Sequence, residues 1–188
     1  GREMKKILIG AAIVLVLIII SSVGIYNNLV SSREGVSASW AQVENVLQRR
    51  ADLIPNLVNT VKGYAAHEKG VFEEVTRARS GWTNAANQED KVKAASAMDS
   101  AISRLLMVAE NYPVLKADSS FLKLQDELAG SENRISVERM RYNQAVRGYN
   151  VSLKAFPSNI VAARFGFAAV SEYFKAEEKA RTVPEVKF

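Results

Sequence analysis

Between Trp40 and Tyr64 the chain reads WAQVENVLQRRADLIPNLVNTVKGY. Trp40, Val43, Leu47, Arg50, Ile54, Leu57, Val61 and Tyr64 follow one another by alternating steps of three and four. That spacing keeps side chains on one face of an α-helix and has the form of a coiled-coil seam. Val36, Val46, Leu53 and Val58 widen the stripe, and the pattern predicts a helix running from Asn28 to Ala66. Pro55 lies inside it, yet the stripe resumes at Leu57. The proline is expected to remove one backbone donor and to kink the helix near Ala51 without ending it. A helix striped in this way needs other helices to cover it.

Toward the N-terminus the pattern gives way to ILIGAAIVLVLIII, Ile7–Ile20, apolar at every position but Gly10. Charge-free sequence continues from Ile7 past Leu15 and Ile20 to Tyr26, twenty positions in all. As a helix this covers about 30 Å, the thickness of a bilayer's hydrocarbon core. Lys5 and Lys6 precede it, and Tyr26 with Asn27 and Asn28 closes it with an interfacial margin. A cleaved signal peptide shares the basic start and apolar middle, but Ser21-Ser22-Val23-Gly24 makes a poor cleavage site. The expectation is an uncleaved signal anchor over residues 4–27. Gly1, Arg2 and Glu3 precede the first plausible initiator, Met4, and are expected to be left over from expression. Only Arg33, beside Glu34, follows the span closely, so the positive-inside rule places the N-terminus in the cytoplasm. The remaining chain is then extracytoplasmic, in a bacterial periplasm. With only Gly35 as a weak point, the span is expected to continue directly into the striped helix.

Toward the C-terminus, Val71, Phe72, Val75 and Ala78 begin a second stripe that fades at Ser80-Gly81 and Asn84–Asn87. It resumes at Val92, Ala95, Ile102, Leu105, Leu106 and Ala109 and stops at Asn111-Tyr112-Pro113. Two helices with an Asn-rich joint, or one bent there, both fit. A third long helix opens after Asp118 or Ser119, both good N-caps. Its seam runs Phe121, Leu124, Leu128, Ser131, Ile135, Glu138, Tyr142, Ala145, Tyr149, Ser152, Phe156 and ends at Phe156-Pro157-Ser158-Asn159. Ile160–Phe174 forms a short apolar, aromatic piece, and residues from Glu177 on read as a frayed tail. The predicted fold is all-α. An N-terminal transmembrane helix continues into an elongated antiparallel bundle of three long helices plus a short C-terminal helix, over residues 28–176.

Composition narrows the chemistry. Among 188 residues there is no cysteine and one histidine, which excludes disulfides, thiolate metal sites and most imidazole chemistry. A cysteine-free chain also suits an oxidising periplasm. Without residues 1–32 the chain carries 22 basic against 19 acidic residues, with signs interleaved. This is not a nucleic-acid footprint, although attraction to anionic headgroups near the membrane remains open.

Several stretches together carry a family resemblance. They are YNNLV at Tyr26–Val30, WAQVENVLQRRADLIPNLVNTVKGYAAHE at Trp40–Glu68, and ENYPVLKA at Glu110–Ala117. LQDEL at Leu124–Leu128, SENRI at Ser131–Ile135 and RYNQAVRGYN at Arg141–Asn150 complete the set. Over Met4 to about Phe174 the sequence resembles the LemA family. The resemblance implies a single-span bacterial membrane protein with a helical-bundle domain and no established enzymatic activity. A related branch is associated with forming magnetosome membranes, which makes membrane organisation the implied role.

Candidate chemistry is sparse. His67-Glu68 resembles half of a zinc-protease motif, but the second histidine it needs does not exist. Ser120-Phe121-Leu122-Lys123 has the SxxK form of some acyl-enzymes, without a partner motif, in the first turn of an amphipathic helix. The paired acids Glu73-Glu74, Glu89-Asp90, Asp126-Glu127 and Glu177-Glu178 lack metal-ligand spacing and read as solvated faces. No cofactor, metal or catalytic residue is expected. Arg50 stands where the seam calls for Leu or Val, and Glu138 holds a seam position on the third helix. A buried Arg50–Glu138 pair would fix helix register, with Asp52 or Glu132 able to serve in its place and a snorkelling Arg50 as the alternative. Phe165, Phe167, Tyr173 and Phe174 offer a self-association surface, or else finish the monomer's core. The functional expectation is a non-enzymatic scaffold at the inner membrane, in contact with the lipid bilayer and self-associating as a homo-oligomer. An adaptor presenting a membrane or envelope protein, such as a protease or an envelope-stress component, is the alternative.

Overall fold

The computed structural model describes residues 1–174. The expected tail at 177–188, the end of the expected bundle at 175–176, and Glu177-Glu178 lie outside the described residues. Among those described there are six helices and no strand. They are α1 (Arg2–Lys62), α2 (Lys69–Asn84), α3 (Gln88–Ala109), α4 (Pro113–Lys116), α5 (Ser119–Lys154) and α6 (Ser158–Phe165). The apolar span and the seam from Trp40 to Val61 thus belong to one unbroken helix, which ends at Lys62, short of the expected Ala66, with Tyr64 in the turn that follows. The Asn84–Asn87 joint separates two helices.

The chain divides into two compact units. The first takes Gly1–Trp40 with Arg141–Ser171; the second takes Ala41–Met140 and continues from Glu172. In the first unit α1 and α5 run antiparallel. Trp40 meets Tyr142 edge to face with ring centroids 5.5 Å apart, while Ile25 and Leu29 share a cluster with Leu153, Val161 and Ala162. Tyr142, Val146 and Tyr149 are the buried positions of α5 here.

After α6 the chain turns at Gly166, whose φ of 73° is the left-handed value that closes a helix without a Cβ penalty. The segment beyond has no regular secondary structure and is strapped to α5. Asn150 accepts from the Val170 amide at 3.0 Å and donates to its carbonyl at 2.7 Å, and the Tyr149 hydroxyl donates to the Ala168 carbonyl at 3.1 Å. Burial pushes the Tyr149 phenol above its ordinary pKa, partly countered by the nearby Arg33 charge. Ile160–Phe174 is therefore one short helix and a strap. Phe156, placed at the end of the α5 seam, is 82% exposed because the helix stops at Lys154 and the chain turns before reaching it.

In the second unit the seam of α1 faces inward. Val43, Leu47, Ile54, Leu57 and Val61 are buried, joined by Ala51 and Val58, while Pro55 points outward. Facing them are Phe72, Val75 and Trp82 of α2, Met98, Ile102 and Leu105 of α3, and Phe121, Leu128 and Ile135 of α5. Trp82 lies where the second stripe fades in the sequence. It is nonetheless a buried anchor whose indole N–H donates to Gln48 Oε1 at 3.0 Å, which satisfies the ring's one polar atom.

Helix ends are capped locally. Asn87 accepts from the Asp90 amide at 2.8 Å to open α3. Asp118 accepts from the Phe121 amide at 2.9 Å to open α5 and receives the Tyr64 hydroxyl at 2.9 Å. Those bonds, the Phe121 amide first and Tyr64 next, hold the Asp118 carboxyl below its ordinary pKa. Its contribution to stability is therefore fully present above the unfolded pKa and lost as pH falls through the lowered folded value. The melting difference between the native chain and Asp118→Ala should stay constant from about pH 7 to about pH 5 and close below about pH 4. Thermal unfolding followed by circular dichroism checks this; a gap unchanged in acid would refute it.

Candidate functional site: an exposed apolar helix and a buried ion cluster

A Pro55 ring has no N–H, so the carbonyl four residues earlier, on Ala51, loses its helical donor. The structure fills that vacancy from α2, where Arg79 Nε donates to the Ala51 oxygen at 3.1 Å. Around it Gln48 donates to Asp52 at 2.9 Å. Lys91 pairs with Glu44 and lies over the Trp82 ring, 5.5 Å from its centroid. Arg79→Ala should cost about 1–3 kcal/mol, the range for an unsatisfied buried acceptor, and Pro55→Ala should recover part of that loss only in the Arg79→Ala background. Denaturant melts of the four-member cycle measure the coupling; additive effects would show that the two residues act independently.

One turn further back in α1, Arg50 is buried at 6% exposure. Its Nη1 lies 3.4 Å from Asp99 Oδ1 on α3 and pairs with Glu132 on α5. Asp99 in turn sits 3.2 Å from Arg139 Nη2 on α5, and the Arg139 guanidinium stacks 5.1 Å over the Phe174 ring. Two arginines and two carboxylates thus tie three helices together with no formal net charge. Glu132 is one of the acids the sequence offers in place of Glu138, which is half-buried about two turns further along α5. Asp99 was missed, although the sequence held a signal: the α3 stripe lacks a member between Ala95 and Ile102, and Met98 and Asp99 occupy that gap, both buried.

Other sequence candidates fall in ordinary places. His67 is exposed, and Glu68 at the start of α2 accepts the Tyr112 hydroxyl at 3.1 Å. That bond raises the Tyr112 phenol's pKa. Ser120 and Lys123 are exposed on the first turn of α5. Trp40 is half-buried, and Tyr64 is exposed against Asp118, which raises its phenol's pKa through their hydrogen bond. Of the four aromatics read as one surface, Phe165 and Phe167 belong to the first unit and Tyr173 and Phe174 to the second. Phe165 and Phe167 both pack edge-on against Tyr26, at 5.0 and 5.5 Å between centroids. Phe167 also lies under the Arg33 guanidinium at 5.5 Å, and Phe174 is half-buried.

At the N-terminal part of α1, Ile7, Gly10, Leu15 and Ile20 are all exposed. The most apolar 18-residue window of the helix has mean hydropathy 2.9 with 0% of it buried. A fully exposed surface of this kind is untenable in water and needs lipid or another apolar cover.

Comparison with known proteins agrees with this architecture. The profile described as LemA family matches residues 39–188. The chain belongs to the LemA family. The match begins at the seam helix, so the apolar span and Tyr26–Val30 precede the matched residues of this LemA-family chain. Curated relatives include magnetosome protein MamQ 2 of Paramagnetospirillum magneticum, 27% identical over 176 residues, with 80% of this chain and 64% of the relative aligned. MamQ of Magnetospirillum gryphiswaldense is 26% identical over 175 residues, covering 79% of this chain and 64% of that protein. Protein LemA of Metamycoplasma hominis is 25% identical over 157 residues, covering 83% and 71%. The chain thus spans slightly less than two thirds of the length of the MamQ relatives. Family membership and the exposed apolar helix together describe a membrane-associated helical protein.

Proposed function

We propose that this LemA-family chain is a membrane-anchored, non-enzymatic helical scaffold that self-associates and organises the bacterial cell envelope or membrane. The observation that carries the reading is the fully exposed apolar segment of α1, which runs without a break into a helix whose inner face is packed and pinned by ions. Similarity to proteins named for the magnetosome favours work at a membrane. Lys5 and Lys6 ahead of the span favour a cytoplasmic N-terminus at the inner membrane with the packed helices outside. Self-association would run through the membrane helix and the edges of the seam, as a symmetric homo-oligomer. Light scattering of the full-length chain in lipid nanodiscs and detergent tests this. A dimer or larger species is expected, and a monomer at every concentration would overturn self-association.

One feature favours the adaptor alternative. A shallow groove of about 750 Å³ in the second unit is lined by Lys62, Lys69 and Arg77, with Glu73 the one acid among the described lining residues. Its balance of charge suits an acidic segment of a partner protein. Proximity labelling in cells separates the readings: recovery of this chain alone supports the scaffold, and steady recovery of one envelope protein supports the adaptor.

A further inference from the structure

The corner between α5 and α6 carries more exposed apolar surface than a water-facing turn needs. Phe156 is 82% exposed, Ile160 61% and Phe165 58%. From Ala155 to Ala163 the chain holds no charge, and Lys154 and Arg164 bracket the run. This corner lies beside the apolar span. A groove of about 460 Å³ is lined by Val14, Leu17, Ile18 and Ile25 of α1 and by Phe156 and Ile160 of the corner. A second of about 320 Å³ joins Ile19, Val23 and Tyr26 to Phe165.

Depth follows from helix geometry. Val14 lies twelve residues before Tyr26, about 18 Å along the axis, while the hydrocarbon core is about 30 Å thick. If Ile7–Tyr26 fills that core, the groove between the span and the corner reaches more than halfway into it. Moving the span to begin at Met4 still leaves Val14, Leu17 and Ile18 in hydrocarbon.

Lipid offers no partner to an unpaired amide; those of Phe156 and Ser158 make no bond among the described residues, while others of the corner are met within the chain. Pro157 has no N–H, Asn159 N bonds the Ala155 carbonyl at 2.8 Å, Ile160 N bonds Pro157 at 3.1 Å, and Phe167 N bonds Ala162 at 3.0 Å. In the groove Ser22 spends its hydroxyl on the Ile18 carbonyl at 2.7 Å. Lys154 and Arg164 are exposed and long enough to reach headgroups.

We infer that the α5–α6 corner is a second membrane-inserted element, and that phospholipid acyl chains cover Phe156, Ile160 and Phe165 beside the span. The inference rests on the membrane-anchored reading above. Because the chain has no cysteine, single cysteines report each position without interference. Phe156→Cys, Ile160→Cys, Leu15→Cys in the span and Lys123→Cys on exposed α5 would each carry an environment-sensitive fluorophore. The full chain would be reconstituted in phosphatidylcholine–phosphatidylglycerol vesicles with lipids spin-labelled along the acyl chain. Residues 156 and 160 should be quenched by the labelled lipid several-fold more than residue 123, close to residue 15, and be shielded from aqueous iodide.

If residue 15 is quenched by lipid while 156 and 160 respond to iodide as 123 does, the corner is in water and the inference fails alone. If residue 15 also escapes the lipid quencher, the anchored reading fails. If 156 and 160 are shielded from both quenchers and regain iodide access on dilution into excess lipid, a second copy covers the corner, which overturns the inference.

Discussion

Asp99→Ala is expected to lower stability by about 3–5 kcal/mol, because it removes the carboxylate that two guanidinium groups share, one of them buried. Asp99 is the shared member of the cluster, with Arg50 on one side and Arg139 on the other. Without it, two guanidinium groups remain and Arg139 loses its 3.2 Å ion pair. Arg50→Ala should cost less, about 1.5–3 kcal/mol, the range for a hydrogen bond to a charged group. Asp99 would keep Arg139, and Glu132, whose side chain is 49% exposed, can turn to water. Arg49→Ala, at an exposed neighbour, should stay within about 0.5 kcal/mol. Denaturant melts of the full-length chain in one detergent rank the three, and equal midpoints for the Arg49 and Arg50 variants would show that the cluster does not hold the helices.

The second large effect concerns the span. Ile13→Arg together with Leu15→Arg should abolish stable integration, since each arginine near a helix centre costs about 2.5–3.5 kcal/mol on insertion scales. The uncharged sequence left on the C-terminal side, 16–32, has 17 residues and includes Ser21, Ser22, Asn27 and Asn28, too short and too polar to serve as a replacement. The doubly substituted chain should leave the membrane pellet on alkaline extraction while its helical circular dichroism persists. Retention in the pellet would refute the span.

The α1 stripe is legible because the residues that carry it repeat at helical spacing along one side of a single helix. Arg50 was legible for the same reason, as a charge interrupting an apolar series. Its partners were harder to read. Burial of a carboxylate depends on which helix lies opposite, and spacing along one helix does not report that; Glu138 and Glu132 both fall near the inward face of α5. Asp99 sits in a Ser- and Ala-rich stretch whose low apolar contrast hid its position. Trp82 was missed because Ser80 and Gly81 dilute the stripe just before it. Phe156 has the spacing of the seam but lies outside it, because periodicity does not report that the helix stops at Lys154. The strap after Gly166 depends on side-chain bonds from Asn150 that leave no periodic trace.

The bond from Arg79 to the Ala51 carbonyl also bears on where α2 can sit. The buried apolar side chains of α1 and α2 set no register by themselves, since one aliphatic side chain replaces another at modest loss, and the Trp82–Gln48 bond joins Arg79 in fixing it. Slipping α2 by one turn would carry the guanidinium about 5.4 Å away and leave the proline-freed oxygen empty, while no other carbonyl in that stretch of α1 lacks its own amide. Pro55 thus marks a single height on a smooth helix, and Arg79 is the pin that finds it.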